Sequence, residues 1–419
     1  MQENGTNEQR NKQINGASLR RTVEIILHLL KDARLITDFQ GEGSTFRNSP
    51  HFGYPGKYEK QFRCDYTYTL DGDTEIILHT ESSYDSGRFT SKEWDSFHIK
   101  KINKNIKKSF ILYPDELERR GEHSFANIIN KLKKKEVISY IDGIYSQTEF
   151  VYLLEDEVLG KELNGSRAAK AGTIFELIFA YTMSLEQNFA LWKNVSGAGI
   201  GWKFDLYKKT LDYLKISPQN VKRIRATRDI QLLPEYTYRD GTKKRGGKPK
   251  TDVILCVEYE DGTEKYYTFS CKNTSQKQVH VNQFSAKYVV DLLKMEPAKE
   301  MEELLELYRT DGGPSNFKKN HPSEYGQLEV LMAPYVDEFE RWCLSGDCRE
   351  GSDDLQRATY IISCHMQSDG KEIYDIIDID SYLHKMRANG KKTFGTIFSW
   401  TVTKKDKHGE NEIRIKAKI

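Results

Sequence analysis

Asp252, Ser270 and Lys272 are the residues whose types and spacing best suit chemistry. Asp252 opens the run TDVILCVEY, and Ser270 and Lys272 close the run KYYTFSCK. Between them stands EDGT, an Asp-Gly signal that predicts a β-hairpin. In a hairpin the outer ends of the two strands meet. Strand alternation puts Ser270 and Lys272 on one face and turns Cys271 toward the core. An aspartate beside a hydroxyl and a backbone carbonyl is a hard-oxygen site suited to Mg²⁺. A neighbouring lysine can orient an attacking water and stabilise charge developing on a phosphate. Phosphodiester hydrolysis is the chemistry that such a set serves.

The chain has 419 residues, enough for one large or two ordinary domains. At 37% hydrophobic and 11% aromatic it can build real cores. The formal net charge of +2 gives no global affinity for polyanions, so the distribution of charge matters more than the total. No apolar core marks residues 1–17 as a signal peptide, and no run of ~18 apolar residues predicts a membrane span. Six scattered cysteines suit a reducing compartment, which makes a cytoplasmic location the expectation.

Elements must position these residues. Periodicity predicts a helix over 18–34 after a disordered lead of residues 1–17. Strands are expected over 62–70 and 74–83, a helix over 92–104, a strand over 108–114 and charged helix over 115–165. A polar stretch near 155–165 marks a boundary, so 18–160 and 161–419 are expected as two units. The second unit reads as a helix over 167–186, the hairpin, a helix around 281–295, helices over 299–342, a strand over 358–364 and a strand pair within 394–418. Helix, hairpin, helix and later strand thus occur in both halves, without a residue-level repeat.

Asp252 followed by Ser270-Cys271-Lys272 resembles the PD-(D/E)xK nuclease motif, with KPKTDV in place of the loose first element. Ser270 departs from the usual acidic residue. That departure resembles the MspI-like subgroup of type II restriction endonucleases, which have an uncharged polar residue there. The likeness is firm over about 40 residues and looser over 166–290. It implies a PD-(D/E)xK restriction-endonuclease-like α/β core, with a mixed central sheet flanked by helices, and Mg²⁺-dependent cleavage of double-stranded DNA. It implies that Asp252 and the Cys271 carbonyl bind metal, with Ser270 acting indirectly, and that Lys272 positions water. Glu176 lies in GTIFELIF, where an unpaired carboxylate would be costly. It resembles the helix glutamate of such nucleases and would supply the missing negative charge at the metal. The rival expectations are a solvated helix stripe for Glu176 and a plain surface ion pair for Asp252 and Lys272.

Basic residues cluster around this motif. TKKRGGKPK carries Lys243, Lys244, Arg245, Lys248 and Lys250 beside two glycines that let backbone approach a phosphate. VKRIRATR adds four more, and Lys277 follows the motif lysine. His280 and Gln283 are further DNA-contact candidates, Gln283 near the start of the next helix. At the C-terminus, Lys391, Lys392, Lys404, Lys405 and Lys407 interleave with Phe398 and Trp400, which reads either as a groove lining or as a protected sheet edge. Cys343, Cys348, Cys364 and His365 lack familiar zinc spacing, and buried thiols are the simpler expectation.

The first half reads as a nuclease fold without the nuclease. Asp65 and Glu81 flank its hairpin, and Ser83 stands where a lysine would be needed. Such a degenerate module would recognise DNA through Arg88, Lys92 and His98, or Asp65 and Glu81 are ordinary hairpin residues. Restriction enzymes of this kind act as dimers on palindromes, while a monomer suits the MspI-like group equally, and a cognate methyltransferase would act on the same site. A structure-selective repair nuclease and a non-catalytic DNA-binding protein are the rival functions.

Overall fold

The computed structural model describes residues 2–41, 49–54, 61–70, 74–83, 86–115, 127–128, 130–131, 134, 136, 139–160, 164–273, 278–347, 349–367, 372–403 and 412–419. The chain forms two compact units, residues 1–225 with 258–262, and residues 226–257 with 263–419. No described helix is long and apolar enough to cross a membrane.

The first unit opens with α1 (Gln2–Asp32), which takes in most of the polar lead that composition reads as disordered. Tertiary contact accounts for the inner part of the extension. The Ser18 hydroxyl donates to the Ile200 carbonyl at 2.7 Å and accepts the Ile200 N–H at 2.8 Å, while Ile14 lies beside Gly197 and Gly199. There follow β1 (Asp38–Gln40), β2 (His51–Gly53), β3 (Gln61–Arg63), β4 (Tyr66–Leu70), β5 (Thr74–Thr80), α2 (Ser86–Ile102), β6 (Ile106–Tyr113) and β7 (Gly143–Ser146). The sheet order is β1-β4-β5-β6-β7, with β4 antiparallel to β5 and β5, β6 and β7 parallel. Strand β7 lies inside the stretch expected as continuous helix. It is only four residues long, and its burial against β6 rather than its periodicity makes it a strand.

Next come α3 (Gln147–Leu159), α4 (Asn164–Ser184), α5 (Glu186–Trp192) and α6 (Phe204–Tyr213). Helix α3 is started by a capping box, in which Ser146 accepts from the Glu149 N–H and Glu149 accepts from the Ser146 N–H. Leu19, Val23, Ile26, Leu27 and Leu30 of α1 pack with Tyr66, Tyr68, Ile76 and Leu78 of the sheet and Phe150 and Ile178 of the helices. Strand β8 (Val221–Thr227) holds the basic VKRIRATR run, whose outward positions carry Lys222, Arg223 and Arg225.

The second unit contains β9 (Tyr236–Thr237), β10 (Lys243–Lys244), β11 (Val253–Tyr259), β12 (Glu264–Asn273), β13 (Val279–Phe284), α7 (Ala286–Leu292), α8 (Ala298–Asp311), α9 (Pro314–Asn320), α10 (Pro322–Met332), α11 (Val336–Ser345), β14 (Tyr360–Met366), β15 (Glu372–Asp378), α12 (Ile379–Ala388), β16 (Ser399–Val402) and β17 (Ile413–Ala417). Its main sheet runs β15-β14-β12-β11. Strand β14 is parallel to β12 and antiparallel to β15, so the sheet is mixed, as the nuclease resemblance implies. Helices α7 to α11 form the crossover between the parallel pair. A smaller antiparallel sheet has the order β13-β17-β16.

Two expectations fail here. Residues 279–284 are strand rather than the start of a helix, because Val281 and Phe284 bury against the core while His280 and Gln283 stay out. Phe398 and Trp400 are 0% and 2% exposed, packed with Phe339, Phe394 and Tyr308. They are core and cannot line a groove. Lys404, Lys405 and Lys407 lie outside the described residues.

His79 on β5 is buried, its Nε2 3.0 Å from the Ser96 hydroxyl of α2. Burial, with the Lys92 charge adding to it, pushes its pKa down from 6.5 to about 3. Between those values the unfolded chain takes up a proton that the folded chain refuses. Stability contributed here is therefore complete above pH 6.5 and lost as pH falls toward 3. Acidification from pH 7 to 4 is expected to remove up to about 3 kcal/mol through this group. Urea unfolding across that range should show the slope, and His79→Gln should flatten it.

Candidate active site

The hairpin β11-β12 brings its far ends together by backbone register. The Asp252 N–H donates to the Phe269 carbonyl at 2.8 Å, extending the ladder one residue beyond β11. That places the Asp252 carboxylate against the end of β12. Its Oδ2 accepts from the Cys271 N–H at 2.7 Å and from the Ser270 hydroxyl at 3.2 Å. Lys272 Nζ lies 3.5 Å from the same oxygen and donates to Ser270 Oγ at 2.7 Å and to the Cys271 carbonyl at 3.0 Å. Asp252 and Lys272 are 24% and 19% exposed, and Ser270 is buried. The pair is therefore neither a solvated surface bridge nor a sealed one, and reagents from solvent can reach it.

The Asp252 carboxylate and the Cys271 carbonyl are the oxygen donors of this cluster. They suit a Mg²⁺ ion, which binds through one or two carboxylates and keeps several waters. Among the described residues no three His, Cys, Asp or Glu side chains converge as a metal site. Glu176 lies on α4, in the first unit, half-buried, while Asp252 lies in the second.

Lys250 sits two residues before Asp252 and donates to the Val281 carbonyl. Burial, reinforced by the Lys272 charge, lowers its pKa to about 8. Gly346, at φ +106°, lies against it, and a Cβ there would come within 2.8 Å of Lys250 Cβ. This close approach fixes the loop after α11 beside the motif strand.

The structure draws much of the expected basic set together. Lys244, Arg245, Lys248, Lys250 and Gln283 line one cavity of about 240 Å³. Lys243 is exposed on β10 and pairs with Glu235 at 3.2 Å. His280 lies on β13 opposite Lys416. Burial of its ring, then Arg414 and Lys416, push its pKa down to about 4, so it is neutral at physiological pH. Gln283 accepts from Arg414 Nε at 3.2 Å and donates to Glu412. Lys277 and Cys348 lie outside the described residues. Cys343 and Cys364 are buried cysteines outside any disulfide, on α11 and β14. Sequence reading missed Arg349 and Asn282, which line the same cavity; neither carries a motif.

The first unit repeats the strand-end geometry. The Asp65 N–H donates to the Leu78 carbonyl at 2.9 Å, and Asp65 Oδ2 accepts from the Thr80 N–H at 2.6 Å and the Thr80 hydroxyl at 3.1 Å. Asp65, Leu78 and Thr80 thus match Asp252, Phe269 and Cys271. The counterpart of Lys272 is Glu81, not Ser83 as spacing suggested. A carboxylate has replaced the ammonium, and α2 brings cations to it: Arg88 at 3.4 Å and Lys92 in direct contact. Burial raises the Asp65 pKa. His98 is held in a ring cluster, stacked on Phe62 at 4.2 Å with its Nδ1 2.9 Å from the Tyr54 hydroxyl.

Comparison with known proteins places the chain in a class. The family described as restriction endonuclease MspI matches residues 152–417. The chain belongs to the MspI restriction endonuclease family, and so is a type II site-specific deoxyribonuclease. Type II restriction enzyme MspI of Moraxella sp. is 23% identical over 244 residues, which cover 57% of this chain and 86% of that enzyme. A crystal structure of restriction endonuclease MspI in complex with its cognate DNA aligns with 65% of this chain and all of its own, at 19% identity and a TM-score of 0.48. The family match leaves residues 1–151 outside it.

The Gly346–Lys250 contact makes a direct prediction. Gly346→Ala should destabilise the protein by about 1–3 kcal/mol, through left-handed strain and the clash. Gly247→Ala, where a Cβ meets nothing within 4 Å, should change stability by less than about 0.5 kcal/mol. Thermal unfolding of both variants checks this.

Proposed function

We propose that the chain is a Mg²⁺-dependent endonuclease that cuts double-stranded DNA at a fixed sequence, with Asp252, Ser270, Cys271 and Lys272 as its active centre. The observation that carries this reading is the hydrogen-bonded cluster at the open end of the β11-β12 hairpin. Asp252 and the Cys271 carbonyl would hold the ion. Bound there, Mg²⁺ supplies Lewis-acid polarisation of a phosphate oxygen and a more acidic water.

The chain's own residues do the rest. Lys272 is tied to Ser270 Oγ and the Cys271 carbonyl, which aims its ammonium along the face that Asp252 occupies. From there it orients a water for attack and stabilises negative charge on the phosphate. Ser270 is a positioning residue, bridging Asp252 and Lys272. The Lys244, Arg245, Lys248 and Lys250 cluster neutralises backbone phosphates of the duplex, with Lys243, Lys277, His280 and Gln283 as further contacts. The first unit contributes target recognition, with Arg88 among its contacts.

Purified protein should be incubated with unmethylated and with methylated plasmid, in Mg²⁺ and in EDTA. Discrete fragments formed only with Mg²⁺ are expected, and a loss of cutting on one methylated substrate would show where a partner methyltransferase acts. Fragments of equal yield in EDTA would sink the metal assignment. Lys272→Ala should lower the cutting rate at least about 100-fold while leaving duplex affinity within about threefold. Cutting at the wild-type rate by that variant would refute the assignment.

A further inference from the structure

Arg349 carries an unmet demand. Its side chain is 8% exposed and its partner Asp347 is 3% exposed. Arg349 Nε forms an ion pair with Asp347 Oδ2 at 2.7 Å, yet Nε, Nη1 and Nη2 are all buried with no hydrogen-bond partner among the described residues. The group is otherwise firmly placed. Asp347 accepts from the Arg349 N–H at 2.9 Å and from the Tyr288 hydroxyl at 3.0 Å, and the Tyr236 ring lies 5.1 Å from the guanidinium. A buried guanidinium with its terminal fork unsatisfied is expensive, so it persists where a ligand completes it.

The cavity that Arg349 lines has its own charge signature. Lys244, Arg245, Lys248 and Lys250 join Arg349 there, against the acids Asp347 and Glu412. Five cations face two carboxylates, so the cavity favours an anion. A planar fork matches two oxygens of a phosphate. The two edge acceptors of guanine would also fit the fork, but they do not answer the surplus positive charge. Lys250 lines this cavity and stands two residues before Asp252, so the cavity adjoins the candidate active centre.

We propose that this cavity is a phosphate pocket, in which Arg349 Nη1 and Nη2 hold two oxygens of a backbone phosphate of the DNA beside the one being cut. The proposal rests on the reading of the chain as a DNA-cutting enzyme. Arg349 touches substrate but not the reacting atoms, so its effect falls on binding.

The test compares full-length wild type, Arg349→Met and Arg349→Lys. Duplex affinity is measured in Ca²⁺ over a range of salt, together with the melting temperature with and without inorganic phosphate. Wild-type cutting in Mg²⁺ is scored separately, so its absence would count against the function and not against the pocket. Arg349→Met should bind duplexes of every sequence about tenfold more weakly. Its log affinity against log salt should be shallower by about 0.9, and phosphate should no longer raise its melting temperature. Arg349→Lys keeps the charge and should keep the salt slope while losing affinity; it decides the matter if the methionine variant does not fold. Phosphate stabilising wild type but not Arg349→Met, with DNA affinity unchanged, would assign the pocket to free phosphate and overturn the backbone contact. A loss confined to one base pair would overturn it too, in favour of a guanine edge. Unchanged affinity, slope and melting in both variants would remove the pocket altogether.

Discussion

One hydrogen bond sets the candidate site: the Cys271 N–H to Asp252 Oδ2, at 2.7 Å. It requires β11 and β12 to be in register up to their open end, which the Asp252 N–H to the Phe269 carbonyl provides. A slip of one residue would exchange the faces on which Ser270, Cys271 and Lys272 lie. The buried positions Val253, Leu255, Val257 and Phe269 forbid that slip. Core packing thereby holds a carboxylate, a hydroxyl and an ammonium together without any of the three needing to be buried for its own sake.

Concentrated positive charge is the second constraint. Lys244, Arg245, Lys248, Lys250 and Arg349 line one cavity, and like charges brought together destabilise an enclosed site. The protein meets this with carbonyl acceptors for Lys250 and Lys272, and with Asp347 and an aromatic face for Arg349. The pKa of Lys250 is depressed first by its burial and then by the Lys272 charge. Such imbalance suits a surface whose partner is a polyanion.

The first unit shows the same strand-end geometry with its charges exchanged. Asp65 is bound as Asp252 is, but Glu81 takes the place of Lys272 and α2 delivers the cations instead. Glu81 is engaged by Lys92 and Arg88. The shared bonding pattern reflects how a hairpin end holds an aspartate, and the side chain beyond it sets what that end can do.

The hairpin, its turn and the convergence of Asp252 with Ser270 and Lys272 were legible locally, because Asp-Gly turns and period-2 alternation are short-range signals. So was the family likeness, which rests on a few residues in fixed order. The helix 167–186 and the strand at 358–364 were legible for similar reasons, each being a long or strongly apolar run. Strands β7, β13 and β15 were not, since short segments become strands only when a neighbour offers its edge. Phe398 and Trp400 read as groove residues because burial is a property of the whole core. Glu81 was passed over for Ser83 because pairing register, not spacing, decides which residue opposes Asp65. Arg349 gave no local sign at all. A guanidinium becomes a candidate ligand-binding group only when folding has buried it beside a carboxylate and left its nitrogens without hydrogen-bond partners among the described residues, and those are facts of three-dimensional packing that no stretch of chain encodes alone.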